Sequence, residues 1–257
     1  MDGAHVMSSD RFQVITPAHP GYRDLVRGVT KEVWPEFMLH DPVANQNWRE
    51  LFDRFLEYQF ALYDTGSQCV AGMGNSFPLR WDDSLENLPE RGWDWAFEEA
   101  VQNHKQGVIP NLHCAIQIVV RPDYRGQGLS RPMLEAVRGL TESKRLRSLI
   151  IPLRPSEKHK YPLIRLDDYI TWKTEQGLPF DPWLRVHVRA GARILKVCHE
   201  SKTIRGRRAE WEAWTGLRFP QSGAYIIEGA LNPIKIHIER NEGVYVEPNV
   251  WIVHESV

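Results

Sequence analysis

The chain has 257 residues, with 32 lysines and arginines against 33 aspartates and glutamates, so its net charge is near -1. This balance excludes proteins that hold nucleic acid or an anionic membrane by bulk positive charge. Hydrophobic residues make up 42% of the chain, enough for a sizeable core within one large domain. No apolar run approaches the roughly 18 residues that a membrane span needs.

The cysteines and the N-terminus bear on the cellular compartment. Cys69, Cys114 and Cys198 are too few and too scattered for a disulfide framework or a zinc site. Residues 1–10 contain no apolar core of a signal peptide. The histidines lack ligand-like spacing, and no HExxH motif occurs. We therefore predict a cytoplasmic protein with reduced thiols and no bound metal.

The first part of the chain predicts a strand, two helices and a hairpin. Residues 11–16 predict the strand, residues 22–33 a helix, and residues 48–56 an amphipathic helix with one apolar face. Two apolar runs flank the Thr-Gly-Ser turn at residues 65–67, which indicates a hairpin. Residues 80–110 follow as an insertion rich in tryptophan. We expect this insertion to form a lid or a wall of a binding cleft; the alternative is a helix that its tryptophans pack on the surface.

Residues 112–140 carry the most informative pattern. An apolar run predicts a buried strand, an Arg- and Gly-rich turn follows, and the next apolar positions share one side of a helix. A helix N-terminus has free amides and attracts anions, and glycine lets the main chain approach a ligand. The stretch is therefore a candidate phosphate cradle. It is neither a P-loop nor a dinucleotide fingerprint, because Leu129-Ser130 follows Gly128 and Arg131 replaces the third glycine.

The rest of the chain predicts more sheet. Residues 146–153 form an apolar run that suits a parallel strand after a right-handed crossover. Residues 154–180 form a long connection whose positive charges lie either near a cofactor or in a solvated loop. Asp181 and Pro182 begin a helix as N-cap and first residue, and Gly191 ends it before a strand. Residues 199–257 predict a helix and three short strands that extend the sheet, or form a dimer surface.

The turn resembles the acyl-CoA-binding motif of the GCN5-related N-acyltransferase (GNAT) superfamily. That motif reads Gln or Arg, two variable residues, Gly, one variable residue, then Gly or Ala. The corresponding residues here are Arg125-Gly126-Gln127-Gly128-Leu129-Ser130, after Val119-Val120-Arg121-Pro122-Asp123-Tyr124. Ser130 departs from the usual final Gly or Ala, although it is also small.

The resemblance implies an α/β protein with the GNAT acyl-CoA N-acyltransferase fold. Its mixed central sheet would have splayed parallel strands, flanking helices and, here, extended C-terminal strands. A single GNAT-like domain would span residues 11–257. Its parts would be a substrate-side half at 11–111 with the insertion at 80–110, an acyl-CoA-binding core at 112–198, and a sheet extension at 199–257.

The resemblance also implies acetyl-CoA or another acyl-CoA as cosubstrate. The diphosphate would meet the amides of the turn, and the pantetheine arm would pair with the preceding strand as a peptide adds to a sheet edge. The residues implied in cofactor binding are Ile118, Val119, Val120, Arg125, Gly126, Gln127, Gly128, Leu129 and Ser130.

Two histidines are the catalytic candidates. Alignment of Gly191 on the glycine of the family's second motif places His187 where a tyrosine commonly protonates the departing thiolate. An imidazole can donate that proton, its ordinary pKa being about 6.5. The alternative is a packed, idle histidine. The strand at residues 112–120 lacks the glutamate that family members often use as base, which leaves His113 and Gln117 as its polar candidates.

Other base candidates are Asp41, Glu98 and Glu99, and Asp41 and Trp93 are the predicted acceptor-site residues. The predicted reaction is direct transfer of an acyl group to the amine of a small molecule. One alternative is other thioester chemistry such as decarboxylation, since one fold hosts several reactions. The other is a CoA-binding sensor without catalysis. Predicted partners are the amine and a second copy in a homodimer, without nucleic acid or membrane.

Overall fold

A nine-stranded sheet runs through the computed structural model, which describes residues 11–255. Residues 1–10, on which the argument about a signal peptide rests, lie outside the described residues. In chain order the strands are β1 (Phe12–Ile15), β2 (Phe60–Asp64), β3 (Cys69–Leu79), β4 (Leu112–Val120), β5 (Ser148–Leu153), β6 (Arg193–Gly206), β7 (Gly223–Tyr225), β8 (Ile234–His237) and β9 (Glu242–Glu255).

The strands are ordered β1-β2-β3-β4-β5-β9-β8-β7, and β6 pairs with the other edge of β9. β4 and β5 pair in parallel, whereas the other pairs of this sheet are antiparallel. The mixed sheet predicted from the sequence is therefore confirmed. The crossover from β4 to β5 is long enough to hold a helix, as a parallel pair requires.

Helices cover both faces of the sheet. They are α1 (Tyr22–Leu25), α2 (Val29–Val33), α3 (Pro42–Asn47), α4 (Glu50–Asp53), α5 (Gly92–Lys105), α6 (Ser130–Ser143), α7 (Leu166–Tyr169), α8 (Pro182–Arg189) and α9 (Arg208–Thr215). α5 contributes Phe97 to one core cluster together with Leu112 and Cys114 of β4, while α6 contributes Met133 to another with Ala115. Alternate residues of β4 thus face opposite layers, as the strand pleat dictates.

Several predicted boundaries were wrong. The helix predicted at residues 22–33 is two short helices, because Gly28 between them takes a left-handed conformation with φ 87°. In residues 48–56 only Glu50–Asp53 is α-helical. The insertion at 80–110 contains a helix, α5, whose inner face is buried, since Phe97 is 0% exposed. The last two predicted strands are one 14-residue strand, β9.

Candidate active site

β4 and β5 separate after a short parallel contact. Only His113 with Leu149 and Cys114 with Ile150 are in register, so residues 115–120 of β4 have no partner on β5. The opening between the two strands belongs to a cleft of about 1570 Å³. Ile118, Val119 and Val120, which the sequence predicted at the thioester and pantetheine arm, line this cleft.

The turn before α6 presents free backbone amides. Gly126 and Gly128 have φ 77° and 73°, and no described residue other than the glycine's own chain neighbours has an atom within 4 Å of a Cβ built on either. Within residues 11–255 the amides from Gly126 to Leu129 donate to no protein acceptor, whereas that of Arg125 donates to the Pro122 carbonyl. Such amides at a helix start favour an anion. Pro132 is the third residue of α6, inside the first turn, so it removes no helical hydrogen bond.

Basic side chains surround this end of the cleft. Arg125 and Ser130 line it next to the turn, and His159 and Lys160 line it from the connection after β5. Lys160 forms an ion pair with Glu157. Lys158 is different, because it is fully buried and its Nζ donates to the carbonyls of Tyr161 and Leu231. Burial lowers the pKa of Lys158 to about 8.

A bulge interrupts β4 in the middle of the cleft. Asn75 and Ser76 are consecutive on β3 but pair with Gln117 and Ala115, so Ile116 is the extra residue of β4. The Ile116 carbonyl accepts a hydrogen bond of 2.8 Å from Nε1 of Trp93. Trp93, a predicted acceptor-site residue in the first turn of α5, lines the cleft at this point.

Asp41, the other predicted acceptor-site residue, is buried and does not line the cleft. Its side chain caps α3 by accepting the Ala44 amide, and its Oδ2 lies 2.8 Å from Nζ of Lys202. Lys202 lines the cleft, and its Nζ lies 3.0 Å from the centroid of the Trp93 ring. The two predicted residues therefore meet at a lysine that the sequence did not single out.

Asp94 lies behind this lysine. Its Oδ1 is 3.9 Å from Nζ of Lys202, and its Oδ2 accepts the Thr203 amide at 3.2 Å. Burial raises the pKa of Asp94 to about 7, against the opposing charge of Lys202. The carboxylates that line the cleft itself are Asp53, Glu157, Glu228 and Glu247. Glu247 is held by Arg154 at 3.0 Å, while the exposed Glu228 forms no ion pair with another described residue.

His113 is fully buried and does not line the cleft. Its ring hydrogen-bonds Thr141 of α6 through Nδ1 and Ser76 of β3 through Nε2. Burial lowers its pKa to about 3. This position joins two elements of the core and gives no support to the predicted role in catalysis.

His187 is also fully buried and outside the cleft lining, although Trp183 and Val186 of the same helix line it. Its Nδ1 contacts Nε2 of His254 at 2.9 Å, and burial lowers its pKa well below the ordinary value. The helix itself begins as predicted, with Asp181 accepting the amides of residues 183 and 184. The predicted proton transfer from His187 to sulfur gains no support from this geometry, because the ring does not face the cleft.

Glu98 and Glu99 lie on α5 and do not line the cleft. Glu98 pairs with Arg91, and Glu99 accepts from Asn103. No group of three or more His, Cys, Asp or Glu side chains within residues 11–255 is placed to hold a metal ion. No helix in this part of the chain is long and apolar enough to cross a membrane.

No protein-family model matches this chain. The arginine N-acetyltransferase avaD of Aspergillus versicolor is 30% identical over 248 residues, which are 86% of this chain and 85% of that protein.

Two solved structures share the fold. The loading GNATL domain of CurA from Lyngbya majuscula has a TM-score of 0.61 at 17% identity, covering 96% of this chain and 98% of that chain. The GphF GNAT-like decarboxylase in complex with isobutyryl-CoA has a TM-score of 0.54 at 13% identity, covering 95% and 98%. Together with the sequence relationship to avaD, the splayed strands and the glycine turn lead to one conclusion: the chain belongs to the GNAT superfamily of N-acyltransferases.

Proposed function

We propose that the protein transfers the acetyl group of acetyl-CoA directly to the amine of a small molecule. The observation that carries this proposal is the row of free amides from Gly126 to Leu129 beside the opening between β4 and β5. A diphosphate fits such a row, because backbone amides and the start of a helix both stabilise negative charge. The acetyl group, rather than a longer acyl chain, is supported by the name of the relative avaD.

The bound thioester would lie along β4. The pantetheine arm carries amide groups, and the unpaired main chain of residues 115–120 offers the complementary donors and acceptors. An arm that enters at Arg125 and follows β4 then ends near the bulge at Ile116. Main-chain amides at that bulge are the candidates to stabilise the oxyanion of the tetrahedral intermediate.

Direct transfer is supported by the side chains around the cleft. A covalent route would need an activated nucleophile such as cysteine thiolate. Of the described cysteines none lines the cleft, and burial raises the pKa of both the Cys114 and the Cys198 thiols. The amine would therefore attack the thioester itself. The C–S bond breaks, the sulfur takes up a proton, and CoA leaves as the thiol.

The acceptor side of the cleft suits a cationic amine. Trp34, Trp48 and Trp93 supply aromatic surface, and Glu228 supplies an exposed carboxylate without an ion-pair partner within residues 11–255. Carboxylates and aromatic faces both attract ammonium and guanidinium groups. Arginine and related guanidino or polyamino compounds are thus the first acceptors to test.

The decisive assay measures free thiol released from acetyl-CoA with and without each acceptor, and identifies the product by mass spectrometry. We expect thiol release that depends on the amine, with one acetyl group added to its nitrogen. A parallel assay uses malonyl-CoA without an acceptor. Release of carbon dioxide in this assay would instead establish a decarboxylase. Calorimetric binding of CoA with neither reaction would indicate a sensor, and no heat with CoA would overturn the proposal altogether.

A further inference from the structure

Four side chains form a group at the inner end of the cleft, which we call the Lys202 cluster: Lys202, Asp41, Trp93 and Asp94. These four residues lie on three separate elements. Asp41 is the N-cap of α3, Trp93 and Asp94 are in the first turn of α5, and Lys202 is on β6. Lys202 follows a register shift in which residues 199–201 bulge out of the pairing between β6 and β9. This bulge ends where Lys202 pairs with Glu247.

Lys202 separates Asp94 from the cleft. The lysine lines the cleft with 9% of its side chain exposed, whereas neither aspartate of the cluster lines it. Its Nζ lies 2.8 Å from Oδ2 of Asp41 and 3.9 Å from Oδ1 of Asp94. A proton that moves between the cleft and Asp94 therefore has Lys202 in its path.

Oδ1 of Asp94 is buried and has no hydrogen-bond partner among residues 11–255. A buried, unpartnered carboxylate oxygen costs free energy, and in a native protein it calls for an explanation. The nearest cation, Lys202, is bonded to the other aspartate instead. The free oxygen is thus placed to receive a proton from the lysine when the lysine turns toward it.

The cluster is joined to the place where the thioester would end. The Trp93 ring lies over Nζ of Lys202, and Nε1 of the same ring donates to the carbonyl of Ile116 at the β4 bulge. One tryptophan therefore spans the distance between Lys202 and the main chain that would hold the reacting carbonyl. Lys202 therefore lines the cleft within one tryptophan ring of the place where an acceptor nitrogen would attack this carbonyl.

We propose that Lys202 and Asp94 form a proton relay that deprotonates the acceptor ammonium, an inference that rests on the proposed function. Lys202 gives one proton to Oδ1 of Asp94 and takes one from the acceptor ammonium, so that lysine ends protonated and Asp94 neutral. The neutral amine attacks the thioester carbon, and the C–N bond forms. The C–S bond then breaks, and the second nitrogen proton goes to sulfur. Asp94 returns its proton through Lys202 to water in the cleft after release of the products.

The charges around Asp94 suit this role. Lys202 faces it from β6, Asp41 from the start of α3, and Arg91 from the residue before α5. Burial is the largest influence and raises the pKa of Asp94 to about 7. A general base works best with a pKa near the operating pH, because it is then both ionised and able to hold the proton. Asp41 does not share this role, since both of its oxygens are already bonded.

Lys202→Arg is the sharpest test, because arginine keeps the charge beside Asp41 but stays protonated and cannot pass a proton on. With acetyl-CoA and an acceptor that the wild type uses, we expect kcat to fall roughly 100-fold or more at pH 7, a typical contribution of acid–base catalysis. Lys235→Arg, at an exposed position of β8, is the matched control and should leave kcat unchanged. Calorimetry should give the same CoA affinity for the three proteins.

The second variant is Asp94→Asn, for which the pH dependence of kcat/KM is measured rather than activity at a single pH. Wild-type kcat/KM should rise through an inflection near the pKa of Asp94, about 7. Asp94→Asn should lose this inflection and rise only with ionisation of the acceptor itself, whereas the exposed Asp168→Asn keeps the wild-type profile. Thermal melts establish that each variant is folded.

Three results would overturn the relay. They are Lys202→Arg activity within about threefold of wild type, an Asp94→Asn profile that keeps the inflection, or a wild-type profile with no inflection between pH 6 and 8. A wild-type profile without the inflection overturns the relay even if both variants fail to fold. Failure of the proposed function looks different, because the wild type would then release no CoA thiol with any amine.

Discussion

Nδ1 of His187 lies 2.9 Å from Nε2 of His254, and the remaining nitrogen of each ring is buried without a hydrogen-bond partner in the described part of the chain. Two neutral rings satisfy this contact when one donates and the other accepts. Two charged rings would repel each other in a site from which water is excluded. Burial accordingly lowers the pKa of His187 well below its ordinary value and that of His254 to about 4.

This pair predicts loss of stability in acid. The unfolded chain binds protons at these histidines near pH 6.5, whereas the folded protein does so only at much lower pH. The free energy of unfolding should therefore fall as the pH drops from about 7 toward 4, by up to about 1.4 kcal/mol per pH unit for each such histidine. Urea titrations of wild type and His254→Gln measure the slope. His254→Gln should reduce this pH dependence by the equivalent of about one proton taken up on unfolding, whereas His237→Gln, on β8, should not. An unchanged slope in His254→Gln would contradict the assignment.

The same contact predicts what His187→Asn does to catalysis. Since the ring is fully buried and does not face the cleft, we expect lower stability but a kcat within about threefold of wild type in the folded fraction. The sequence motif predicts instead a large loss in kcat, on the order of 100-fold, with the fold intact. Thiol-release kinetics below the melting temperature of the variant separate the two expectations.

What the sequence predicted well is encoded in contiguous residues. The strand, glycine turn and helix at residues 112–140 and the Asp181 cap depend on neighbours along the chain, so local patterns suffice. Lys202 carried no local signal, because its partners lie on α3 and α5, far away in the sequence. His187 shows the opposite case. The motif fixed its place on α8, but the rotation of that helix, which buries His187 and turns Val186 to the cleft, depends on packing against β9.

Gly128→Ala tests the diphosphate site. Beyond its chain neighbours, a Cβ here meets no atom of residues 11–255 within 4 Å, so the cost to folding comes from the left-handed φ of 73°, about 1 to 2 kcal/mol. In the complex the same Cβ would meet the diphosphate. We expect CoA to bind about tenfold more weakly, a loss near 1.4 kcal/mol.

Gly107→Ala is the matched control, because Gly107 has φ 67°, equally open surroundings and a place at the end of α5. Both variants should lose similar melting temperature, but Gly107→Ala should keep the wild-type affinity for CoA in calorimetry. If wild type, Gly128→Ala and Gly107→Ala bind CoA with equal affinity, the diphosphate does not bind at Gly128.

Glu228→Gln tests recognition of a cationic acceptor. The Glu228 carboxylate is exposed at the cleft and forms no ion pair within residues 11–255, so its removal should leave the fold unchanged. We expect KM for a guanidino acceptor to rise about tenfold with little change in kcat, the pattern for loss of binding shared by ground and transition states. Glu142→Gln, at an exposed position of α6, is the control. If neither substitution changes KM, Glu228 is not part of the site that binds the cationic acceptor.

Asp94→Asn should make the protein more stable at alkaline pH. The pKa of Asp94 is about 7 in the folded protein against 3.8 ordinarily, so the fold favours the protonated form. This contribution to stability is complete below the ordinary pKa and is lost as the pH rises through about 7. Asparagine does not titrate and remains neutral. Between pH 5 and 8.5 the stability of Asp94→Asn relative to wild type should thus increase by an amount on the order of 2 to 4 kcal/mol of unfolding free energy.

Urea titrations at both pH values measure this change, with Asp168→Asn as control. A difference that does not vary with pH would mean that Asp94 is ionised throughout, paired with Lys202, with a pKa too low to hold the proton that the relay passes to it.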